Sequence, residues 1–244
     1  MNAEKVAIIS GSSRGIGAAS AKRLARDGFK VVVNYTSSRR EAQEVVDWIS
    51  SEGGTAVAMQ ADVADSAAVK ALFDLTQTTF GGIDVVVNNA GVLNLNPISD
   101  FESDVFEQVV AINFKGTFNM CREASKRLRL GGRIINLSSS VIGLRLPSYG
   151  VYIATKAAVE ALTQVLAQEL RGREISVNAV APGPVATELF LHGKTPELIE
   201  RMTKMNPLER LAQPDDIARV VAFLAGPEGA WINGQVIRAN GGMC

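Results

Sequence analysis

The sequence predicts an α/β fold with a doubly wound, seven-stranded parallel sheet flanked by helices on both faces. Short apolar runs typical of buried strands alternate with longer segments of helical periodicity along the whole chain. No low-complexity segment, repeat or linker interrupts this alternation. Successive strand–helix units of this kind join into a parallel sheet through right-handed crossovers. A chain of 244 residues fits one such domain, so we predict a single domain spanning 1–244.

The first predicted strand, Val6–Ile9, leads through a glycine-containing loop into a helix. This order of elements places backbone N–H groups and the positive end of a helix dipole against a pyrophosphate. The glycines follow the spacing G-x-x-x-G-x-G, in which Gly11 allows a tight turn and Gly15 and Gly17 let the backbone approach the ligand. We therefore predict a Rossmann-like dinucleotide site. Its contacts from this loop are Gly11, Ser13, Arg14, Gly15, Ile16 and Gly17.

The second strand, Lys30–Val33, ends at a segment that indicates which dinucleotide binds. An acidic residue there would hold the ribose 2′-hydroxyl of NAD, whereas a nearby arginine would accommodate the 2′-phosphate of NADP. The chain has Asn34 there, and Arg14 in the phosphate-binding loop can pair with a phosphate. These charges favour NADP(H) over NAD(H). The alternative interpretation makes Arg39 and Arg40 only the solvated start of a helix. The predicted contacts are Asn34, Tyr35, Thr36 and Ser37.

Two further strands deliver polar residues at their carboxyl ends. Strand Ala56–Gln60 is followed by Asp62 and Val63, which are placed for the adenine. Strand Val85–Val87 is followed by Asn88-Asn89-Ala90-Gly91, whose two asparagines form a polar latch beside a turn. Such a latch satisfies loop carbonyls and is compatible with lining a cofactor. The predicted cofactor contacts here are Asp62, Val63, Asn89, Ala90 and Gly91.

A helix beginning near Glu102 contains Asn113 between apolar neighbours. Asparagine is mildly unfavourable inside a helix, so we expect either a local kink with a bound water or simple tolerance. The next strand, Ile134–Leu137, ends close to Ser139. A hydroxyl at this position can reach over to the start of the following helix.

That following helix opens with Tyr152-Ile153-Ala154-Thr155-Lys156 and continues with apolar residues at helical spacing. Residues four apart share a helix face, so the phenol of Tyr152 and the ammonium of Lys156 point the same way. A nearby cation favours the phenolate, and we expect Lys156 to lower the pKa of Tyr152 from about 10. Such a phenol can protonate a carbonyl oxygen near neutral pH. Taken alone, the pair is also compatible with an ordinary helix face.

The last part of the chain supplies two more strands and a segment without clear periodicity. Strand Ser176–Val180 precedes Pro182-Gly183-Pro184-Val185-Ala186-Thr187, and Gly234–Arg238 is the seventh strand. A helix beginning at Pro214 lies between them. Residues 188–207 have few β-branched residues and several turn formers, so we predict a mobile substrate lid.

The composition argues against several classes of function. Twenty-five basic residues balance 25 acidic ones without a charged block, which argues against nucleic-acid and membrane-surface partners. No run approaches the roughly 20 apolar residues of a membrane span, and the first ten residues lack a signal peptide's apolar region.

A single histidine, His192, argues against a metal site or a Ser-His-Asp triad. Two cysteines, Cys121 and Cys244, fit a reduced cytoplasmic setting. Trp48 and Trp231 are expected to be packing residues.

Together these residues resemble the short-chain dehydrogenase/reductase family in its compact form, over essentially the whole chain. Ser10-Gly11-x-x-x-Gly15-x-Gly17 corresponds to the family's Thr-Gly-x-x-x-Gly-x-Gly, with a serine that keeps the hydroxyl. The other matching positions are Asn88-Asn89-Ala90-Gly91, Asn113, Ser139, Tyr152, Lys156 and Pro182-Gly183.

The resemblance implies a four-residue catalytic site beside NADP(H) in one dinucleotide-binding and catalytic domain. Tyr152 would be the acid–base residue, and Ser139 would hydrogen-bond the substrate oxygen. Lys156 would bind the nicotinamide ribose and lower the tyrosine pKa, and Asn113 would hold a water that relays protons. Contacts near the nicotinamide would be Pro182, Gly183, Val185, Thr187, Tyr152 and Lys156. Family members are commonly tetramers packed through the helices of Asn113 and Tyr152, so we expect a homotetramer.

The resemblance also implies a substrate class. The chain looks most like bacterial 3-oxoacyl-thioester reductases and is also similar to polyketide and sugar reductases. Reductases acting on acyl carrier protein often present two arginines; Arg173 occupies one position, while Leu130 occupies the other with Arg129 adjacent. The leading hypothesis is NADPH-dependent reduction of a ketone, such as a 3-oxoacyl thioester on acyl carrier protein or coenzyme A. The alternatives are an NAD(P)-linked alcohol, polyol or sugar dehydrogenase working oxidatively, and a non-catalytic nucleotide sensor.

Overall fold

The computed structural model describes residues 4–244, in which seven parallel strands form one sheet. The strand order is β3-β2-β1-β4-β5-β6-β7, which is the doubly wound arrangement that the sequence predicts. The strands are β1 (Val6–Ile9), β2 (Lys30–Tyr35), β3 (Ala56–Gln60), β4 (Val85–Asn88), β5 (Arg133–Leu137), β6 (Ser176–Pro182) and β7 (Val236–Ala239). The order reverses between β1 and β4, and in such sheets a ligand crevice opens at the carboxyl ends of the strands there.

Helices cover both faces of the sheet. They are α1 (Gly15–Arg26), α2 (Arg39–Ser51), α3 (Ser66–Phe80), α4 (Ser103–Val110), α5 (Thr117–Arg127), α6 (Val141–Leu144), α7 (Gly150–Glu169), α8 (Glu188–Leu191), α9 (Pro196–Lys204) and α10 (Pro214–Ala225). A π-helical turn, Ala111–Gly116, joins α4 to α5. A short 3-10 helix, Ile98–Asp100, precedes them.

Two apolar cores lie on opposite faces of the sheet. Ala7 and Ile9 of β1 belong to the core that contains side chains of α1, α2 and α10. Ile8, between them, belongs to the core that contains side chains of α3, α5 and α7. Because both faces are buried, the strands read as continuous apolar runs rather than as alternating patterns. Polar side chains are therefore free to gather at the strand ends.

Helix α2 begins at Arg39, so both Arg39 and Arg40 lie in its first turn, as in the alternative interpretation of these two residues. The ends of several strands differ from the prediction. Strand β6 continues to Pro182 because its pairing with β7 extends to that residue. Strand β7 begins at Val236 rather than at Gly234, whose φ of +70° is incompatible with an extended strand.

The predicted lid segment, 188–207, contains two short helices that the sequence analysis does not predict. The side-chain oxygens of Thr187 and Thr195 accept hydrogen bonds from the N–H groups of Phe190 and Leu198, each at 3.3 Å, and cap the two helices. Pro196 occupies the first position of α9, where its fixed φ favours a helix. Capping residues and, in α9, apolar residues at helical spacing therefore define this part of the chain.

The two tryptophans differ in their surroundings. Trp48 packs against the α2 side of the sheet, and its ring lies 4.8 Å from the Lys22 ammonium. Trp231 is 98% exposed, so the expectation that it packs is wrong within a single chain. Among residues 4–244, no helix is long and apolar enough to cross a membrane. The same residues contain no cluster of histidine, cysteine and acidic side chains arranged to hold a metal ion.

Candidate active site

The carboxyl ends of the central strands open onto a cavity of about 140 Å³. Its walls are the loops after β1, β4, β5 and β6 together with parts of α7 and α8. The lining residues are Ile16, Asn89, Gly91, Leu137, Ser138, Ser139, Tyr152, Lys156, Pro182, Gly183, Val185, Thr187, Leu189 and Phe190. Three of the predicted catalytic residues and most of the residues predicted to contact the nicotinamide thus line the same cavity. A larger cavity of about 250 Å³ near α10 and β7 shares only Gly183 with it and contains no predicted catalytic residue.

The glycine loop leaves no room for side chains where the backbone turns. Gly11 and Gly15 have φ values of +60° and +58°, in the region that favours glycine. A Cβ on Gly11 would lie 2.9 Å from the Cα of Ala90, and one on Gly17 would lie 2.6 Å from the Gly11 oxygen. The first turn of α1 carries no acidic side chain, so its N–H groups keep their affinity for an anion.

A polar latch connects the glycine loop to the loop after β4, but only one of the two asparagines predicted to form it takes part. The Ser10 hydroxyl accepts hydrogen bonds from the N–H groups of Asn89 (3.0 Å) and Ala90 (3.1 Å). The Asn89 Nδ2 donates to the backbone oxygens of Ser10 (3.0 Å) and Gly11 (2.9 Å). The second asparagine, Asn88, instead donates to Asn136 Oδ1 at 2.7 Å in the protein interior. Only Asn89 therefore forms the latch.

The residues after β2 have different surroundings. Asn34 is buried, where its Oδ1 accepts a hydrogen bond from Gly11 N (3.2 Å) and its Nδ2 donates to Ala61 O (3.0 Å). Its side chain thus supports the glycine loop from within the protein. Tyr35 is also buried and belongs to the apolar core, whereas Thr36 and Ser37 are exposed at the strand end. Of the four predicted contacts, Thr36 and Ser37 are the accessible ones.

The predicted adenine contacts lie at the carboxyl end of β3, outside the smaller cavity. The exposed Asp62 accepts a hydrogen bond from Ala64 N at 2.9 Å through its Oδ1. Val63 is buried, and its backbone oxygen accepts a hydrogen bond from Asn119 Nδ2 at 2.9 Å. These bonds fix the loop that follows β3.

Arg14 connects the glycine loop to the lid segment. Its Nη1 lies 2.9 Å from a carboxylate oxygen of Glu188 at the start of α8, and both side chains are more than 60% exposed. The methyl carbon of Thr187 would lie 3.4 Å from a Cβ on Gly15, so the base of the lid segment also contacts this loop. An exposed pair of this kind is worth about 1 kcal/mol or less. Arg14 can therefore exchange Glu188 for a more highly charged anion.

Asn113 lies in the π-helical turn, so the predicted local distortion of the helix is present. Its Oδ1 accepts a hydrogen bond from Val92 N (2.8 Å), and its Nδ2 donates to Val92 O (2.9 Å) and to Thr155 Oγ1 (3.4 Å). The Thr155 hydroxyl donates in turn to the backbone oxygen of Tyr152 at 2.8 Å. Asn113 is thereby connected both to the loop after β4 and to α7.

Lys156 lies close to the same loop. A Cβ on Gly91 would lie 3.6 Å from Lys156 Nζ and 3.3 Å from Asn113 Oδ1. The Lys156 ammonium donates to the backbone oxygen of Leu137 at 2.8 Å and is 5.7 Å from the centre of the Tyr152 ring. Burial lowers the pKa of Lys156 to about 8. The structure thus brings Asn113, Lys156 and Tyr152 together as predicted.

The direction of the Tyr152 pKa shift is the opposite of the prediction. Burial is the largest cause and raises the pKa of Tyr152 to about 12, with a smaller rise from Tyr149. A hydrogen bond with the Ser139 side chain lowers the Tyr152 pKa in part, but Lys156 is not among the causes. The expectation that Lys156 lowers this pKa is therefore wrong for the chain without ligands. The phenol is protonated at neutral pH, which is the state that can donate a proton.

Four cavity residues were not predicted as site residues: Leu137 and Ser138 at the end of β5, and Leu189 and Phe190 of α8. For the two residues of α8, the available signal is the apolar run Leu189–Leu191 that directly follows Glu188. These side chains give the entrance an apolar wall suited to a hydrocarbon portion of a substrate.

The arginines near the other end of the sheet are engaged within the chain. The Arg173 guanidinium donates to the backbone oxygens of Ser125 and Leu128, the latter at 2.8 Å. The Arg129 guanidinium donates to Asp84 Oδ2 at 3.1 Å and to a backbone oxygen. Leu130 between them is exposed. Both guanidinium groups thus fix the ends of α5 and the loop before β5.

The chain is similar to known proteins over nearly its whole length. A family model described as "Enoyl-(Acyl carrier protein) reductase" matches residues 11–244. A short-chain type dehydrogenase/reductase of Picea abies is 46% identical over 98% of the chain and 92% of its own length. The 3-oxoacyl-acyl-carrier-protein reductase FabG of Staphylococcus aureus is 42% identical over 100% of the chain and 99% of its own length.

A solved structure shows the same architecture. A short chain dehydrogenase from Burkholderia cenocepacia J2315, crystallised in complex with NADP, superposes with a TM-score of 0.92. It is 37% identical, with 98% of this chain and 97% of that chain covered. The chain belongs to the short-chain dehydrogenase/reductase family.

Proposed function

We propose that the protein is an NADPH-dependent carbonyl reductase that converts a ketone to an alcohol. The observation that carries this proposal is the meeting of Ser139, Tyr152 and Lys156 in one cavity with the loop after β4 and the base of the lid segment. A partly buried phenol that keeps its proton at neutral pH, beside a hydroxyl and an amine, is suited to protonate a carbonyl oxygen. A nucleotide sensor would not require these three side chains together.

The residues present fit NADP(H) as the cofactor. The glycine loop is a cradle that a Cβ would fill, at the N-terminus of α1, and it suits a pyrophosphate. Asp62 and Val63 would face the adenine, Lys156 would bind the nicotinamide ribose, and Val185 and Thr187 would contact the carboxamide. The Burkholderia relative's complex with NADP supports this assignment.

The chain's own residues then divide the work of the reaction. Bound NADPH supplies a hydride to the carbonyl carbon. The Ser139 hydroxyl hydrogen-bonds the carbonyl oxygen, and Tyr152 transfers its phenolic proton to that oxygen as it becomes an alcohol. The Lys156 ammonium, which donates to Leu137 O at 2.8 Å, would bind the nicotinamide ribose beside these two side chains. Asn113, with a bound water, relays a proton from solvent to restore Tyr152.

Arg14 is the residue we expect to recognise the 2′-phosphate. Its exposed guanidinium can leave Glu188 and form a charge-assisted bond with the more highly charged phosphate. Arg14→Ala is therefore expected to raise the Kd for NADPH by about fivefold, the upper end of the range for an exposed charge pair, and to leave the Kd for NADH unchanged. Fluorescence titration of both cofactors measures this.

Arg23→Ala is the matched control for that titration. Arg23 lies on the same helix but pairs with Asp27 at 3.0 Å, away from the glycine loop. It should leave both cofactor affinities unchanged. If Arg14→Ala weakened NADH and NADPH binding equally, recognition of the 2′-phosphate by Arg14 would be refuted.

For the substrate, we propose a 3-oxoacyl thioester. The identity with the Staphylococcus reductase supports this choice, and the apolar side chains Leu137, Leu189 and Phe190 provide a wall for an acyl chain. Because Arg129 and Arg173 are engaged within the chain, we expect coenzyme A thioesters to be accepted as well as acyl carrier protein thioesters.

A substrate panel tests the proposed function. Purified protein is incubated with NADPH and matched 3-oxoacyl thioesters of coenzyme A and acyl carrier protein, an activated diketone and an aldehyde. NADPH consumption with the thioesters is the expected result. Oxidation of an alcohol, polyol or sugar with NAD, without reduction of any carbonyl compound, would instead establish the oxidative alternative.

The lid and the assembly belong to the same proposal. We infer that residues 188–207 close over the substrate, since α8 lines the cavity and contacts the glycine loop through Arg14.

A homotetramer packed through α4–α5 and α7 would cover Phe106, Phe118 and Val165, which are large exposed apolar side chains on these helices. Sedimentation velocity measures the assembly. Both cysteines are free thiols, which supports a cytoplasmic setting.

A further inference from the structure

The face of α7 that carries Tyr152 and Lys156 continues with two more polar side chains, Glu160 and Thr163. Successive members of this series are four, four and three residues apart, so all four lie along one side of the helix. Each of them meets the carboxyl-terminal end of β5 or the turn after it. The contacts form a polar ladder, defined as Tyr152, Lys156, Glu160 and Thr163 together with their partners on residues 136–139.

Two contacts of the polar ladder involve residues of α7 that follow the catalytic residues in the sequence. The Ser138 hydroxyl donates to Glu160 Oε1 at 2.6 Å. The Asn136 Nδ2 donates to Thr163 Oγ1 at 2.8 Å, and the Thr163 hydroxyl donates to the backbone oxygen of Val159. Asn136, Thr163 and Ser138 are buried, and Glu160 is partly buried. A short bond to a carboxylate in such a place is stronger than a neutral hydrogen bond.

Ser138 directly precedes Ser139, so its anchoring bears on the catalytic hydroxyl. The backbone N–H of Ser138 donates to Val180 O at 2.7 Å. On the other side, the Ser140 hydroxyl donates to Ala181 O at 2.8 Å. Both neighbours of Ser139 are therefore bonded to β6. Among the bonds that Ser138 and Ser140 form with β6 and α7, only the bond from the Ser138 hydroxyl reaches α7.

We propose that Glu160 is a positioning residue for the reaction: by holding the Ser138 hydroxyl, it keeps the turn after β5 at the separation from α7 at which Ser139 meets Tyr152. The inference rests on the roles proposed above for Ser139 and Tyr152. Glu160 itself lines neither the cavity nor the glycine loop. Its effect would pass through one hydrogen bond and one peptide unit.

The central test compares two substitutions of Glu160. Glu160→Ala removes the acceptor and is expected to lower kcat by about tenfold, since small misplacements of reacting groups are costly, with little change in the Kd for NADPH. Glu160→Gln keeps an oxygen acceptor and is expected to restore most of kcat. Gln164→Ala, an exposed neighbour on α7, is the control for general effects of substitution in this helix.

A double-mutant cycle separates this role from independent structural effects. Ser138→Ala should lower kcat to about the same extent as Glu160→Ala, and the double variant should be no worse than either single variant. Losses that multiply in the double variant would show that the two residues act separately and would overturn the proposal. Should Glu160→Ala fail to fold, Ser138→Ala and Glu160→Gln still decide the matter.

The pH profile of alcohol oxidation provides a readout that a purely structural role would not change. The groups that face the Tyr152 phenol are Ser139, Lys156 and Tyr149. Loss of the Ser139 hydrogen bond raises the Tyr152 pKa and lowers the phenolate fraction below that pKa, so oxidation at pH 10 should be slowed more than reduction at pH 7 in Glu160→Ala. Removal of a nearby negative charge alone would raise the phenolate fraction and favour oxidation instead. Glu160→Gln should leave the profile in place.

The outcomes also separate this inference from the proposed function. If Tyr152→Phe is inactive while Glu160→Ala keeps kcat within twofold of the unmodified protein, Glu160 has no positioning role and the reductase proposal stands. If Glu160→Gln is as impaired as Glu160→Ala, the charge and not the hydrogen bond matters, and the inference is overturned. If Tyr152→Phe remains active, the proposed function itself fails.

Discussion

Tyr152→Phe is expected to lower kcat for carbonyl reduction by about 1,000-fold, within the range for loss of a general acid. The substitution keeps the ring and removes only the hydroxyl that carries the transferred proton. The residue is partly buried and lines the cavity together with Ser139 and Lys156, so its hydroxyl is the proton donor that the cavity would lose. Binding of NADPH should change little, because the glycine loop and Arg14 are untouched. Steady-state kinetics and a fluorescence titration with NADPH measure the two effects.

Tyr149→Phe is the matched control for this prediction. Tyr149 lies immediately before α7 and close enough to raise the pKa of Tyr152 slightly. It is not among the residues that line the cavity, so its variant should keep most of the activity. A large loss in Tyr149→Phe with full activity in Tyr152→Phe would transfer the acid role to Tyr149.

Lys156→Ala is expected to lower kcat by about 100-fold, as for removal of one preorganised charge-stabilising group, and to weaken NADPH binding as well. The buried ammonium is held by Leu137 O at 2.8 Å, 5.7 Å from the ring of Tyr152. Its loss removes a donor for the nicotinamide ribose and a positive charge beside the reacting groups. Lys126→Ala, an exposed lysine on α5, should have no effect in the same assays.

The two shifted pKa values fix the sign of the pH dependence. Tyr152, with a pKa of about 12, stays protonated across pH 6–10, whereas Lys156, with a pKa of about 8, loses its charge within that range. The kcat/KM for reduction should therefore be constant below pH 8 and fall as the pH rises above it. Lys156→Ala should remove this fall. Its persistence in the variant would show that another group titrates.

The position of the site was predictable because parallel strands place their carboxyl ends at one edge of the sheet. Glycines after β1, Asn89 after β4, Ser139 after β5 and Thr187 after β6 could be assigned to one crevice from strand order alone. The spacing of Tyr152 and Lys156 likewise fixed their shared helix face. These features depend on local patterns and on topology.

The direction of the Tyr152 pKa shift was not predictable from spacing. Two residues four apart share a face, but their sequence does not tell how much water surrounds them. Burial acts on both groups, raising the Tyr152 pKa and lowering the Lys156 pKa. A lysine that loses charge easily and lies beyond direct contact cannot dominate the phenol's environment.

Other features depended on contacts between distant segments. Asn34 was predicted to contact the cofactor, yet it bonds Gly11 and Ala61 because β2 lies between β1 and β3. Arg14 and Glu188 are 174 residues apart in the sequence, and nothing local indicates that they pair. The helices of the lid segment begin at threonine caps, which a search for apolar periodicity does not detect.

Isotope tracing tests the central claim most directly. The protein is supplied with a 3-oxoacyl thioester and with NADPH deuterated at one or the other position of nicotinamide C4, and the product is analysed by mass spectrometry and NMR. The account predicts an alcohol whose carbinol carbon carries deuterium from one of the two labelled cofactors, while the hydroxyl proton comes from solvent. An alcohol without deuterium from either cofactor, or NADPH consumed without alcohol formation, would contradict it.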